Sequence, residues 1–287
     1  MDYTNCTLCP RRCGANRSAG ERGWCGATDK ALVAKTMIHQ WEEPALAPNG
    51  KSGAIFFGGC TLGCLYCQNR AISRRPVGKE ADSAELRAII EALIAQGAEN
   101  IDLVTPTQYL PTILPALEEK LPVPVVYNCG GYERAETLRA LEGKVDIYLP
   151  DLKYADPGLA GALSKAKDYF PVAKAAIKEM VRQTGAPEWD GDKLVKGTVI
   201  RHLILPGCVE NSLKVLDWIG ETFAPGEVLV SLMRQYTPME ATKNLPPLNR
   251  RVTDEEYDAV LSWMYLNDLE GFVQEDEAAD QAYIPDF

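Results

Sequence analysis

The sequence predicts an α/β fold: a partial (β/α)6 TIM-like barrel behind a small cysteine-rich N-terminal appendage, with an open parallel sheet as the second choice. Three observations predict it. From about residue 51, six apolar runs of strand length alternate with stretches of helical periodicity. Polar and glycine-rich stretches follow those runs, and parallel sheets build their sites beyond the carboxyl ends of the strands. Residues 1–50 stand outside the alternation and hold four cysteines.

The apolar runs are 53–58, 101–105, 123–128, 145–149, 198–205 and 227–233. They lead into GGCTLGCLYC, TPTQY, NCGGY, PDLKY, PGC and RQYTP, so all six ends converge on one rim. Between them lie the helices. Leu86, Ile89, Ile90, Leu93 and Ile94 recur at helical spacing; Asp82 with Glu85 forms a capping box, and Gly97 suits the end. Phe170, Ala173, Ile177, Met180 and Val181 form a second stripe, stopped by Gly185. A further helix starts near Thr253, with Glu256 three residues on. Residues 32–40 read as a possible strand within the 1–50 appendage, and 51–287 as the core domain. GFVQ reads as a short closing strand, and the tail as a lid held by Tyr283, Ile284 and Phe287.

Composition excludes several function classes. The formal charge of -10 lacks the basic footprint of nucleic-acid binding. No apolar run approaches the ~20 residues of a membrane span, and the start has no apolar signal core. Nine cysteines is an odd number, unevenly placed, so the expectation is metal or redox chemistry in the cytoplasm, not a disulfide framework.

The chemistry concentrates at Cys60, Cys64 and Cys67, spaced C-x3-C-x2-C on the loop after the first run. Structural zinc wants a closed set of four ligands. A [4Fe–4S] cubane normally takes four thiolates as well, one per iron. Three thiolates leave one iron open to a small molecule.

C-x3-C-x-aromatic-C, with Tyr66 as the aromatic, resembles the signature of radical S-adenosylmethionine (SAM) enzymes. The stretches CTLCPRRCGANRSAGERGWCG, VTPTQYLP, YNCGGYE, DIYLPDLKY, IRHLILPG, QYTP and AYIPDF resemble the PflX-type branch of the pyruvate formate-lyase activating-enzyme-like proteins. The resemblance implies a [4Fe–4S] cluster on Cys60, Cys64 and Cys67, with SAM chelating the open iron. It implies reductive cleavage of SAM and hydrogen abstraction by a 5′-deoxyadenosyl species. The substrate it implies is a protein or peptide, as for a glycyl-radical-enzyme activase, with a small metabolite as the alternative. A non-catalytic metal module is the reading from another class. The resemblance also implies a reducing partner such as flavodoxin or ferredoxin.

Position by position, Tyr66 matches the residue whose backbone meets the adenine. Thr105 and Thr107 stand where relatives receive the SAM amino group, without the usual acidic residue. Asn128 falls where a polar residue meets the ribose or carboxylate. Asp151 and Lys153 match an Asp-x-Lys pair directed at SAM. Tyr236 or Gln235 replaces a histidine near the sixth strand end. Taken singly, Tyr236 reads as a packed aromatic, His202 as structural and Cys129 as a small buried apolar residue.

Cys6, Cys9, Cys13 and Cys25 give C-x2-C-x3-C-x11-C, a complete set of four thiolates for zinc or a second iron–sulfur cluster. No residue stands out as the catalytic acid, base or hydrogen donor.

Overall fold

In the computed structural model, which describes residues 2–40 and 43–273, the six apolar runs form six neighbouring parallel strands. The strands along the chain are β1 (Ala31–His39), β2 (Ser52–Phe57), β3 (Lys79–Ala81), β4 (Asn100–Val104), β5 (Val125–Cys129), β6 (Ile147–Pro150), β7 (Glu188–Asp190), β8 (Lys193–Leu203), β9 (Leu229–Met233) and β10 (Gly271–Val273). The parallel order is β2-β4-β5-β6-β8-β9, and β10 continues it beside β9. This is the sequential order expected of a partial barrel of right-handed βα crossovers. The strand path stays open. β1 pairs antiparallel with β2, and β3 with β1, so part of the 1–50 segment extends the core sheet. The predicted lid lies outside the described residues.

The helices are α1 (Arg70–Ser73), α2 (Ser83–Ala95), α3 (Leu110–Ala116), α4 (Ala135–Leu138), α5 (Pro157–Ser164), α6 (Tyr169–Thr184), α7 (Val209–Thr222) and α8 (Asp254–Leu266). Local chemistry fixes their ends. Asp82 caps the Glu85 amide while the Glu85 carboxylate accepts from the Asp82 amide, and Thr253 and Glu256 repeat this box at α8. On α2, Leu86, Ile90 and Leu93 are buried against the sheet, which orients the helix. On α6, Ala173, Ile177, Met180 and Val181 do the same.

Every residue of β2 and β5 is buried, as strands covered on both faces require. The core runs from Ile55, Leu103 and Tyr127 across the sheet to Ile200 and Val230. Parallel register then places chemically active residues side by side. Val104 faces Asn128, Cys129 faces Pro150, and Asp151 bridges to Arg201. The carboxyl ends of four strands therefore meet at one polar wall.

Candidate active site

A cavity of about 270 Å³ opens at those strand ends. Cys60, Cys64 and Cys67 line it together with Asn128, Asp151, Lys153 and Arg201, with Leu62, Val104, Leu203 and Met233 also in its wall.

The cysteine loop is held by backbone packing. Gly59 has φ +84°, and a side chain there would bring a Cβ within 2.5 Å of the Cys25 carbonyl oxygen. Gln108 is buried and donates through Nε2 to the carbonyls of Gly58 (3.2 Å), Gly59 (3.1 Å) and Thr105 (2.9 Å). Tyr109 adds a hydrogen bond to the Gly58 carbonyl at 2.9 Å. Burial pushes the Cys60 thiol up to about 12, helped by Cys64 and Cys67, and raises Cys67 as well. Three mutually repelling thiolates need a positively charged centre to be stable there.

Among the described residues, no three His, Cys, Asp or Glu side chains gather as ligands of one metal ion. A cubane makes no such demand, because each thiolate binds its own iron. Three cysteines on a tight loop beside an open cavity suit a cubane with one free corner. The Ser164 hydroxyl donates to Cys64 Sγ at 3.0 Å, and Ser73 Oγ lies 3.4 Å from Cys67 Sγ. Ser164 Oγ also contacts the Tyr154 hydroxyl at 2.7 Å, which meets the Tyr66 hydroxyl at 2.6 Å. With Ser164 donating to sulfur, the proton order runs from Tyr66 through Tyr154 to Ser164. The Tyr66 ring is thus anchored in the core while the residue borders the cavity.

The polar part of the lining is one chain of side chains. Lys153 Nζ donates to Asp151 Oδ2 at 2.5 Å; Arg201 donates to Asp151 Oδ1 at 3.0 Å and to Asn128 Oδ1 at 2.6 Å. Asn128 Nδ2 donates onward to Asp102 Oδ2 at 3.2 Å. Burial opposes ionisation of Asp151, yet Arg201 and Lys153 together hold its carboxyl below the usual range. Burial likewise opposes the charge on Lys153, and Asp151 with Cys64 holds it above the usual range. Both stay charged and face the cavity. The backbone around Lys153 is clamped: its amide donates to the Tyr169 hydroxyl (3.0 Å), and Asn211 Nδ2 donates to its carbonyl (3.1 Å).

Of the residues proposed for SAM, Tyr66, Thr105, Asn128, Asp151 and Lys153 line the cavity. The Thr107 side chain turns elsewhere. Its hydroxyl donates to Glu133 Oε1 at 2.7 Å, away from the cavity, because Thr105 takes the left-handed conformation (φ +59°) and the chain turns into a 3-10 helix. Tyr236 is the packed aromatic that its sequence context suggests. Its hydroxyl donates to the Leu248 carbonyl at 2.7 Å within the core, and Gln235 borders the cavity instead. His202 is buried between the Leu152 carbonyl (2.6 Å) and Ser212 Oγ (2.8 Å), and burial lowers its pKa to about 4. Its Nδ1–H donates to the carbonyl and its Nε2 accepts from Ser212, a structural role.

Arg201, Ser164 and Glu133 carry weaker sequence signals than the cysteines. Arg201 alternates with buried neighbours in IRHLIL and faces the rim, which was a usable signal. Ser164 had none, since α5 brings it to Cys64 only in three dimensions. Glu133 is buried, and desolvation raises its pKa to about 8. Cys129 lines the cavity next to it.

No protein-family model matches the chain. An uncharacterized protein of Methanocaldococcus jannaschii, MJ0674, is 32% identical over 275 residues, spanning 90% of this chain and 74% of that protein. The chain belongs to that protein's family. A radical SAM methyltransferase from Sphaerobacter thermophilus superposes with a TM-score of 0.53 at 13% identity, over 81% of this chain and 69% of that one. QueE from Escherichia coli matches at 12% identity with a TM-score of 0.47, over 85% of this chain and 94% of its own. The fold is the partial barrel seen in radical SAM structures.

Proposed function

We propose that this protein is a radical SAM enzyme that holds a [4Fe–4S] cluster on Cys60, Cys64 and Cys67 and acts on a protein or peptide. The observation that carries the reading is that three thiols and the Asp151–Lys153 pair line one cavity. Held by those three cysteines, such a cluster would supply the electron for reductive cleavage of SAM and hydrogen abstraction.

The chain's own residues do the rest. Lys153 offers a fixed ammonium for the carboxylate of SAM, and Asp151 an acceptor for its amino group. Arg201 keeps Asp151 ionised and aims it, so the pair needs no reorganisation when the ligand arrives. Asn128, oriented by Asp102 and Arg201, presents hydrogen-bonding capacity at the adjoining strand end. Leu62, Val104, Leu203 and Met233 exclude water from part of the wall.

The open strand path leaves a lateral route by which a loop of a protein substrate could reach the cavity. The polar wall from Asn128 to Arg201 favours the second reading, a small metabolite held by hydrogen bonds. A cytoplasmic setting and a flavodoxin- or ferredoxin-type donor belong to the same proposal. Among the described residues no helix is long and apolar enough to cross a membrane.

The test is anaerobic incubation of the reconstituted protein with SAM, reductant and candidate protein or metabolite fractions. EPR for a protein radical and mass spectrometry of peptides distinguish the classes. Modification confined to a metabolite would reject the protein-substrate part of the reading.

A further inference from the structure

We propose that an acidic one-electron carrier protein docks on the arginine-rich surface around Trp24 and there delivers its electron to the loop of Cys60, Cys64 and Cys67. The inference rests on the cluster proposed for that loop.

Charge is unevenly spread along the chain. Residues 1–79 hold 11 basic and 5 acidic side chains, and residues 80–287 hold 19 and 35, so a net +6 precedes a net -16. The fold gathers part of the positive share around one ring. The Arg11 guanidinium lies 4.2 Å from the Trp24 ring centroid and that of Arg74 lies 5.7 Å from it. Arg22 donates to the Gly26 carbonyl at 3.1 Å. Gly26 packs on Pro76 so closely that a Cβ there would come within 2.7 Å of the ring. Segments 22–26 and 74–77 therefore form one surface, which adds Arg75.

These charges are not spent inside the molecule. Among the described residues, Arg11, Arg22, Arg74 and Arg75 form no ion pair with a carboxylate, whereas Arg87, Arg182, Arg234 and Arg250 each do. Arg22, Arg74 and Arg75 are exposed. Apolar surface lies among them: Trp24 is 38% and Val77 49% exposed. Arginine and tryptophan are the residue types that anchor protein contacts. A cationic patch on an otherwise acidic molecule steers a small acidic partner to that face.

Position selects an electron carrier among acidic partners. Arg11 donates to the carbonyls of Thr61 (3.0 Å) and Leu62 (3.4 Å), between Cys60 and Cys64. Gly63, at φ +84°, leaves room for Arg74: a Cβ there would lie 2.0 Å from Nη1. A Cβ on Gly58 would lie 2.4 Å from the Val77 carbonyl oxygen. A protein seated on this surface stands against the backbone that holds the three thiols. Neither Trp24, Val77 nor any of the four arginines lines the cavity, so carrier and cavity ligand can be bound together. In the transfer the carrier is oxidised by one electron and the cluster is reduced by one, with no bond made or broken. A nucleic acid suits the surface less, because the net -16 of the rest of the chain repels a polyanion longer than the patch.

The experiment uses the anaerobically reconstituted full chain and an acidic flavodoxin. Stopped-flow absorbance follows electron transfer from the reduced flavodoxin, and fluorescence anisotropy measures binding of the labelled oxidised form to the chain with or without iron. Both should weaken about tenfold between low and high salt. Arg22→Glu with Arg75→Glu should lower both about tenfold at low salt without slowing reduction by methyl viologen radical, a small cation. Lys178→Glu with Lys214→Glu, the same charge change at exposed helix positions, should lower them less than about twofold. Salt-independent binding, or equal losses in the two double variants, overturns the proposal. So does a single-stranded RNA that binds in an arginine-dependent way while flavodoxin binding ignores the arginines. If the arginine variant loses its iron or its circular dichroism signal, Trp24→Gln decides: binding as tight as wild type overturns the proposal. A chain that cleaves SAM with dithionite and shows none of the salt and variant effects sinks this inference alone. Those effects without SAM cleavage sink only the proposed activity, and a chain that assembles no cluster sinks both.

Discussion

The Ser164 hydroxyl donates to Cys64 Sγ at 3.0 Å, and two buried tyrosine hydroxyls stand behind it in series. A hydrogen bond to a ligand sulfur stabilises the more negative redox state of a cluster and raises its potential. Ser164→Ala should therefore lower the midpoint potential of the cluster on the Cys60 loop. A loss of about 1 kcal/mol of differential hydrogen bonding corresponds to about 40 mV. Potentiometric EPR titration checks this, and an unchanged or higher potential would contradict it.

Lys153 and Asp151 share a 2.5 Å ion pair that Arg201 completes. Lys153→Met should weaken SAM binding about tenfold to a hundredfold, the loss of a charge-assisted contact of about 1.5–3 kcal/mol. Lys153→Arg should recover part of it. Anaerobic calorimetry on reconstituted protein measures both.

Asp151→Asn should destabilise the fold itself, because it leaves Lys153 and Arg201 without their shared anion; about 3 kcal/mol is the expected scale. Because the folded-state pKa of Asp151 is depressed, its stabilising contribution is present above the ordinary carboxylate value and is lost as pH falls below it. Urea unfolding at pH 7 and at about pH 3 should show the variant's deficit shrinking at the lower pH.

Glu133 and His202 give opposite pH slopes. Glu133 sits at about 8 against an ordinary 4.5, so the folded state keeps a proton that the unfolded chain releases, and stability falls as pH rises through that window. His202 sits at about 4 against 6.5, so stability falls as pH drops through 6.5 toward 4. Each slope is about 1.4 kcal/mol per pH unit. They cancel between 4.5 and 6.5, which leaves a net loss from 6.5 to about 8 that belongs to Glu133. Glu133→Gln should flatten the dependence of the urea midpoint in that window. A variant as pH-sensitive as wild type there would refute the assignment.

Much of the architecture was legible because burial writes itself as period. The runs around Ile55, Leu103 and Val230 read as covered strands, and Leu86 with Ile90 as a helix face, because one periodicity suits each environment. The antiparallel pairing of β1 was not legible, since the partner of an edge strand is set by tertiary contact. β3 and β7, three residues each, are too short for any period to show, and Trp189 on β7 is 46% exposed. At the cavity, Cys60, Cys64, Cys67, Asp151 and Lys153 were legible from spacing at strand ends. The hydroxyl directions of Thr107 and Tyr236 were not legible because position along the rim does not reveal side-chain direction: Glu133 captures one and the Leu248 carbonyl the other. Ser164 and Arg11 act through folding alone, from residues distant in sequence.

The most direct measurement is chromatographic detection of 5′-deoxyadenosine after anaerobic reconstitution, addition of SAM and reduction with dithionite. The account predicts 5′-deoxyadenosine from wild type and none from Cys60→Ala, Cys64→Ala or Cys67→Ala. A reduced wild-type protein with a full complement of iron on that loop, yielding no 5′-deoxyadenosine, would contradict it.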